Sequence, residues 1–574
     1  MLQEPPASEI SRNRGASGPR EYFFPLALAA AFVVLGSLPY LYGHWTAPED
    51  ARFMGFVGRG TAGANGYLML ARQVADGGHL MQNQYTPEPT PHTYFNLEWW
   101  LFGKCARVTG VSLVGVFHLW RVLTVVAYFL ALYWFAGLCL GTRGARRFAV
   151  LLIAFGTGFG WLVWTANRFT GLALPPSLDL AGVCVPGYLV NKPHFMRAAV
   201  FALLKYGLLL RGEQTGKRGY FALSGLAALG HSVVRPYHLA ETYLVYAALP
   251  LVLAWRDGRL DARRAGNYAL AGAVLLPAVA YYGWMAFENT LGMAGWRRQS
   301  LFLLQLVLWL GWPFLVACGY FVARGFAPGR VRAASTPAIL LGLWLFTAWL
   351  LLNTFPYFPA GQELAWYALA TVPPIAVLMG PWVETRDWLR GRFPGLSARL
   401  ERPRAIRLLA AALLLAALPG TVYVWANLFR DLHRTRPEAM WRYYLDTSVL
   451  ETVAWLGARE HPDPPVLLAT PATAQFVPRI ADVRVVCGHD MLSPHFYQKQ
   501  RELARFFRLA GEPGYKRWLI DRYHVGYVLV GPEEQAAGDF DADRLPWLRQ
   551  VYSAGEVRLY AVVAEAHSPP APPR

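Results

Sequence analysis

Residues 113–140 read LVGVFHLWRVLTVVAYFLALYWFAGLCL and contain a single charged side chain, Arg121. A helix needs ~20 apolar residues to cross ~30 Å of hydrocarbon, so this run is long enough to span a bilayer. Comparable stretches lie at 23–43, 148–166, 197–211, 219–235, 237–255, 267–287, 300–323, 337–353, 364–383 and 406–426. The expected fold is therefore mainly α: a polytopic membrane protein with about eleven transmembrane helices. The run at 23–43 is too long for a signal-peptide core and has no small-residue cleavage site, so it reads as a retained first span.

Composition agrees. Of 574 residues, 55% are apolar and 16% charged, against roughly 25% charged in soluble domains. The balance of 54 Lys and Arg against 36 Asp and Glu gives a net charge of +18. In a soluble protein that excess would point to nucleic acid; here it sits in the loops between spans, and no nucleic-acid partner is expected. The five cysteines show no metal-ligand spacing.

Charge also sets an orientation. Arg143, Arg146 and Arg147, then Arg211, Lys217 and Arg218, then Arg256 to Arg264, Arg324 to Arg332 and Arg386 to Arg407 fall on alternate loops. The positive-inside rule then predicts a cytoplasmic N-terminus and, with an odd number of spans, an extracytoplasmic C-terminal region, as in a multi-pass protein of a bacterial inner membrane. The expected organisation is a cytoplasmic tail (1–22), a transmembrane domain (23–426) with an extracytoplasmic loop (44–112), an extracytoplasmic α/β domain (427–565) and a disordered proline-rich tail (566–574). Within the loop, Gly66 to Asp76 and Tyr94 to Phe102 are amphipathic. The C-terminal region alternates helical patterns (448–460, 497–509) with β-like runs at 466–469, 483–487 and 525–530. A hairpin is expected from 548–552 and 557–563 about a Ser553-Ala554-Gly555 turn.

One helix, a long outer loop, a helical bundle and an outer soluble domain: this order resembles the GT-C class of membrane glycosyltransferases, which includes protein mannosyltransferases, aminoarabinose transferases and many bacterial relatives. The local match runs from Gly66-Tyr67 through Ala71-Arg72, Gly77-Gly78 and Tyr85-Thr86-Pro87-Glu88-Pro89 to Phe102-Gly103 and Val116-Phe117-His118-Leu119-Trp120-Arg121-Val122. The resemblance implies transfer of a sugar from a polyprenyl-phosphate donor in the membrane lipid to an extracytoplasmic acceptor. Negative charge then grows on the departing phosphate, through an oxocarbenium-like transition state. Such chemistry needs a carboxylate to take the acceptor's proton and basic side chains to hold the phosphate.

Glu49 and Asp50, at the exit of the first span, are the expected carboxylates, and the bland reading is that both are solvated. Many relatives carry acids a few residues before the Tyr matching Tyr67, whereas here the stretch is Thr61-Ala62-Gly63-Ala64-Asn65. Either Glu49 and Asp50 take the role, or Asp179 does, or transferase chemistry is lost. The cationic candidates are Arg121 with His118, His194 with Arg197 after Asn191-Lys192-Pro193, and Arg235 with His238 and Glu241. An ionisable group within a span normally faces a cavity or a partner, and the bland alternative is an internal pair such as Arg121 with Glu241. Lys205 and His231 lie deeper, with Lys205 read as snorkelling. Gly488-His489-Asp490 resembles a Gly-His element of GT-C outer domains, though a turn cap explains His489 better. Tyr94-Phe95 and Trp99-Trp100 suit either sugar stacking or interface anchoring. No cofactor is required, and the chemistry leaves room for a divalent metal. Two rival functions stay open: a lipid-linked glycan flippase or other transporter, and a non-catalytic scaffold in envelope polysaccharide assembly.

Overall fold

The two amphipathic stretches of the first loop are helices, α1 (Thr61–Ala75) and α2 (Leu97–Thr109). Asn96 caps α2 by accepting from the backbone N–H groups of Glu98 and Trp99. The pair packs backbone to backbone at Gly103: a Cβ there would stand 2.4 Å from the Ala71 carbonyl oxygen, so only glycine fits. The structure is a computed structural model and describes residues 19–58, 61–156, 158–171, 185–288, 303–325, 332–354, 361–433, 442–508 and 512–563.

Contacts divide the chain into two units. The mixed unit comprises Leu38–Leu119, Gly283–Trp296 and Leu428–Arg574, so the first loop belongs with the C-terminal region. A short strand β1 (Ala51–Phe53) pairs antiparallel with β2 (Tyr444–Asp446). The central sheet has the order β4-β3-β5-β7-β6. β3 (Val466–Leu468) runs parallel to β4 (Arg484–Val485) and β5 (Val525–Val530). β6 (Leu548–Ala554) and β7 (Val557–Val562) form the antiparallel hairpin, turning at Gly555 with φ +52°. Phe506, Phe507, Leu519 and Val528 fill the core beneath this sheet.

Arg72 of α1 ties the first loop to the C-terminal region. Its guanidinium donates to the Pro478 carbonyl at 2.8 Å, to Gln84 at 2.7 Å and to Asp482 at 2.9 Å, and it also pairs with Asp76. Every one of these acceptors lies in the mixed unit, so this residue of the family-like Ala-Arg pattern has an architectural use.

The helical unit comprises Met1–Ser37, Trp120–Tyr282 and Arg297–Asn427. Helices occupy most of the described residues in each hydropathic stretch. Among the described residues five are long and apolar enough to cross a membrane: Phe23–Trp45, Leu113–Cys139, Arg143–Thr170, His238–Asp257 and Pro403–Asp431. The bent pair Ala262–Ala273 and Leu276–Met285 makes a sixth if counted as one span. The remaining stretches are helical but shorter or more polar, as in Pro193–Thr215, which carries Arg197, Lys205 and Arg211. Trp344 lies at the core, 4.7 Å from the Tyr206 ring and edge-on to Phe135.

Candidate functional site

In the helical unit we label α3 (Leu113–Cys139), α4 (Pro193–Thr215), α5 (Arg218–Val234) and α6 (His238–Asp257). Pro193 at the first helical position starts α4. That start brings Lys192, His194 and Arg197 into or beside its first turn, with no acidic residue there. Cations are disfavoured at that end of a helix, where the macrodipole is positive.

Phe195 organises the cluster. The Arg235 guanidinium lies 3.8 Å from its ring centroid and the Lys192 ammonium 4.9 Å. Tyr188 stacks on the same ring at 5.4 Å, and the His194 ring meets it edge-on at 4.7 Å. Cation–π contacts of this kind contribute ~0.5–2 kcal/mol each, more when desolvated. His194 is within electrostatic reach of Arg235, Lys192 and Arg197. Arg197 in turn donates to Thr124 Oγ1 at 3.1 Å from Nη2 and lies over the Trp120 ring. Thr124 sits three residues beyond Arg121, on the same helix face, and Arg121 donates to Ser37 Oγ at 2.8 Å. The structure therefore gathers His194, Arg197 and Arg235, with Arg121 one helical turn from the residue that Arg197 grips.

Beside this cluster runs a second, fully buried network. Glu241 accepts from the Tyr206 hydroxyl at 2.6 Å, contacts His238 Nδ1 at 2.7 Å and lies 3.6 Å from Lys205 Nζ. Lys205 also donates to Thr242 Oγ1 at 2.7 Å. The His238 ring stacks on His231 at 4.1 Å. Two bland expectations are thus corrected. Glu241 serves His238, Lys205 and Tyr206 rather than Arg121, and Lys205 does not snorkel, because at 0% exposure it has acceptors inside the bundle.

Glu49 and Asp50 form an exposed turn ahead of β1. The Asp50 carbonyl accepts from the Thr447 N–H at 2.8 Å, so β1–β2 pairing fixes the turn. His118 meets Tyr40 edge-on at 4.6 Å within the mixed unit. Asp179 lies outside the described residues. His489 caps a turn: its Nδ1 accepts from the Met491 and Leu492 N–H groups at 3.1 and 3.3 Å, and burial pushes it down to about 4. Trp99 is buried and stacks on Tyr67 at 4.4 Å, a packing role in place of either expected one.

In the acid-free stretch just before Tyr67, Asn65 accepts from the buried Arg479 at 2.8 Å. Arg479 also donates to the Met54 carbonyl. Burial pushes the Arg479 guanidinium down to about 10. Sequence reasoning missed Arg479 because its partners are remote in the chain. Thr124 was missed as well, although its spacing of three residues from Arg121 on one helix could have signalled it. Among the described residues no group of three His, Cys, Asp or Glu is placed to hold a metal ion.

No family model and no curated protein matches the chain. Solved structures do. An Archaeoglobus fulgidus oligosaccharyltransferase tethered to an acceptor peptide containing the NVT sequon superposes with a TM-score of 0.52 at 11% identity, over 88% of this chain and 69% of that one. The fold is that of the GT-C membrane glycosyltransferases. The archaeal enzyme in complex with an inhibitory peptide and a dolichol-phosphate gives 0.49 at 12% identity over 89% and 70%. Arabinosyltransferase EmbB from Mycobacterium smegmatis gives 0.38 at 15% over 66% and 31%. The first of these carries the assignment, which concerns fold alone. Independently of that likeness, the five helices long and apolar enough to cross a membrane are those of a membrane protein.

Proposed function

We propose that the chain transfers a sugar from a polyprenyl-phosphate donor to an extracytoplasmic acceptor, and that Arg197, Arg235, His194 and Lys192, with Arg121, hold the donor phosphate. The carrying observation is the gathering of these basic groups around Phe195 and the start of α4. Backbone N–H groups and the dipole at a helix start favour an anion, and guanidinium groups grip phosphate oxygens bidentately. Groups fixed in place before reaction stabilise the charge that develops as the glycosyl bond breaks, without reorganising at that moment.

Asp50 is the proposed base, with Glu49 and Asp179 as the carboxylates to be tested against it. In this reading the N-terminus is cytoplasmic, eleven helices cross a bacterial inner membrane and the C-terminal region is extracytoplasmic. His118 and His238 are the further substrate-binding candidates of this reading.

The test is transfer from a radiolabelled polyprenyl-phosphate sugar in membranes. Arg235→Ala and Arg197→Ala should lower turnover by about 10²- to 10³-fold, and Asp50→Asn by about 10²- to 10⁴-fold. Unchanged turnover in all of these, and in Glu49→Gln and Asp179→Asn, would sink the reading. Movement of an intact lipid-linked glycan across vesicles without transfer would favour the flippase.

A further inference from the structure

Among the described residues, two that are not glycine adopt positive φ, His495 at 56° and His524 at 49°. Both line the same hollow of the mixed unit, a cavity of about 360 Å³. Each sits where a glycine would be the relaxed choice. His524 follows the helix Pro513–Arg522, at the left-handed position that usually ends a helix on glycine. His495 immediately precedes the helix Phe496–Arg508. Left-handed backbone at a side-chain-bearing residue is strained and tends to collect at ligand sites.

The rest of the lining is polar on one side and apolar on the other. Lys499, only 2% exposed, places its ammonium 3.1 Å from Glu88 Oε1 and 5.4 Å from the centre of the Tyr523 ring. Arg522 and the exposed Gln498 complete the rim. Arg522 lies 3.5 Å from Glu502, which also accepts from the Tyr523 hydroxyl. The lining therefore offers an ammonium held by Glu88 and Thr86, a guanidinium held by the neighbouring Glu502, an amide and two imidazole rings. Pro87 and Pro89 supply the apolar wall. Pockets from about 300 Å³ upward take small ligands, and a single pyranose ring is well within that.

We propose that this hollow binds an anionic sugar residue, its carboxylate or phosphate taken by Lys499 and Arg522 and its hydroxyls by His495, His524 and Gln498. The inference deepens the transferase reading, on which it rests, by giving the acceptor a class: an acidic glycan.

The experiment uses the full chain in nanodiscs and saturation-transfer NMR, with D-glucuronate, glucose 6-phosphate and glucose as probes at matched ionic strength and empty nanodiscs as the blank. Glucuronate or glucose 6-phosphate should receive saturation and glucose should not; the better of the two anions tells carboxylate from phosphate. Glycine accepts positive φ freely, so the double variant His495→Gly/His524→Gly should melt near the parent's temperature while binding the anionic sugar about tenfold or more weakly. Equal saturation of glucose, binding unaffected in the double variant, or no binding of either anion would overturn the proposal. Arg235→Ala separates the two readings: loss of transfer with glucuronate binding intact leaves both standing. Binding in a parent chain that transfers nothing removes the transferase reading alone.

Discussion

Arg72 and Arg479 in the mixed unit, and Arg121 and Arg235 in the helical unit, are all 9% exposed or less, but their surroundings differ. The first two are fastened to acceptors: Arg72 to two carboxylates, an amide and a carbonyl, Arg479 to an amide and a carbonyl. Arg121 donates to Ser37 Oγ, and Arg235 lies on an aromatic ring shared with Lys192, beside His194 and Arg197. A clamped guanidinium holds elements together. Basic groups brought side by side raise the local potential, and that potential is what a phosphate would use. The same residue type thus has an architectural use in one unit and a proposed binding use in the other.

Arg72→Ala leaves the exposed Asp482 and the buried Gln84 and Pro478 carbonyl without their donor; the solvated ion pair adds little, and each buried acceptor left unsatisfied costs about 1–3 kcal/mol. The mixed unit should become protease-sensitive and lose much of its thermal stability, seen by limited proteolysis of the full chain. Loss of transfer with an unchanged proteolysis pattern would count against the clamp.

His489 tests the same unit by pH. Its folded value is about 4 because it is buried, while an unfolded histidine takes its proton near 6.5. Between those values the unfolded chain binds more protons. Stability is therefore complete above about pH 6.5 and falls as pH drops toward 4, by up to about 1.4 kcal/mol per pH unit. In melting curves recorded from pH 7 to 4.5, His489→Gln should flatten the decline. An equally steep slope in the variant would assign it to other groups.

In the helical unit the expected effect is on function. Arg235→Lys keeps the charge but loses the planar fork that stacks on Phe195 and grips two oxygens. Donor KM should rise about tenfold, near 1.4 kcal/mol, with melting unchanged. A fall in melting temperature of the size expected for Arg72→Ala would make Arg235 a clamp as well.

How much of this was legible follows from where the information lies. Residues 113–140 read as a span because a helix in lipid must satisfy its own backbone, so the signal is local. The hairpin at 548–562 was legible for the same reason: short β-like runs flank a turn that contains a glycine. The three-residue strands β1 and β2 were not, since their pairing joins remote segments and neither is long enough to show alternation. The bond between His238 and Glu241 follows from their spacing of three on one helix. The contact of Lys205 with Glu241 depends on how two helices pack, which no single segment encodes.

The smallest expected effect concerns the missing acid. Asn65 is fully buried, its Oδ1 accepts from Arg479, and its Nδ2 has no acceptor among the described residues. Asn65→Asp exchanges that orphaned donor for a second acceptor oxygen and turns the existing bond into a charge-assisted one. Against this stands the desolvation of a carboxylate, which excellent geometry at best offsets. The balance favours a change within about 1 kcal/mol, read as a melting shift of a few degrees at most. A small upward shift without any gain in transfer would mean that an acid here serves only Arg479, leaving the base to Asp50 or another carboxylate. A gain in transfer of tenfold or more would instead place the base at residue 65, and the comparison between the two units would have to be redrawn. A fall of 3 kcal/mol or more, the magnitude expected for an uncompensated buried charge, would show that Arg479 does not stay protonated and close enough to pair.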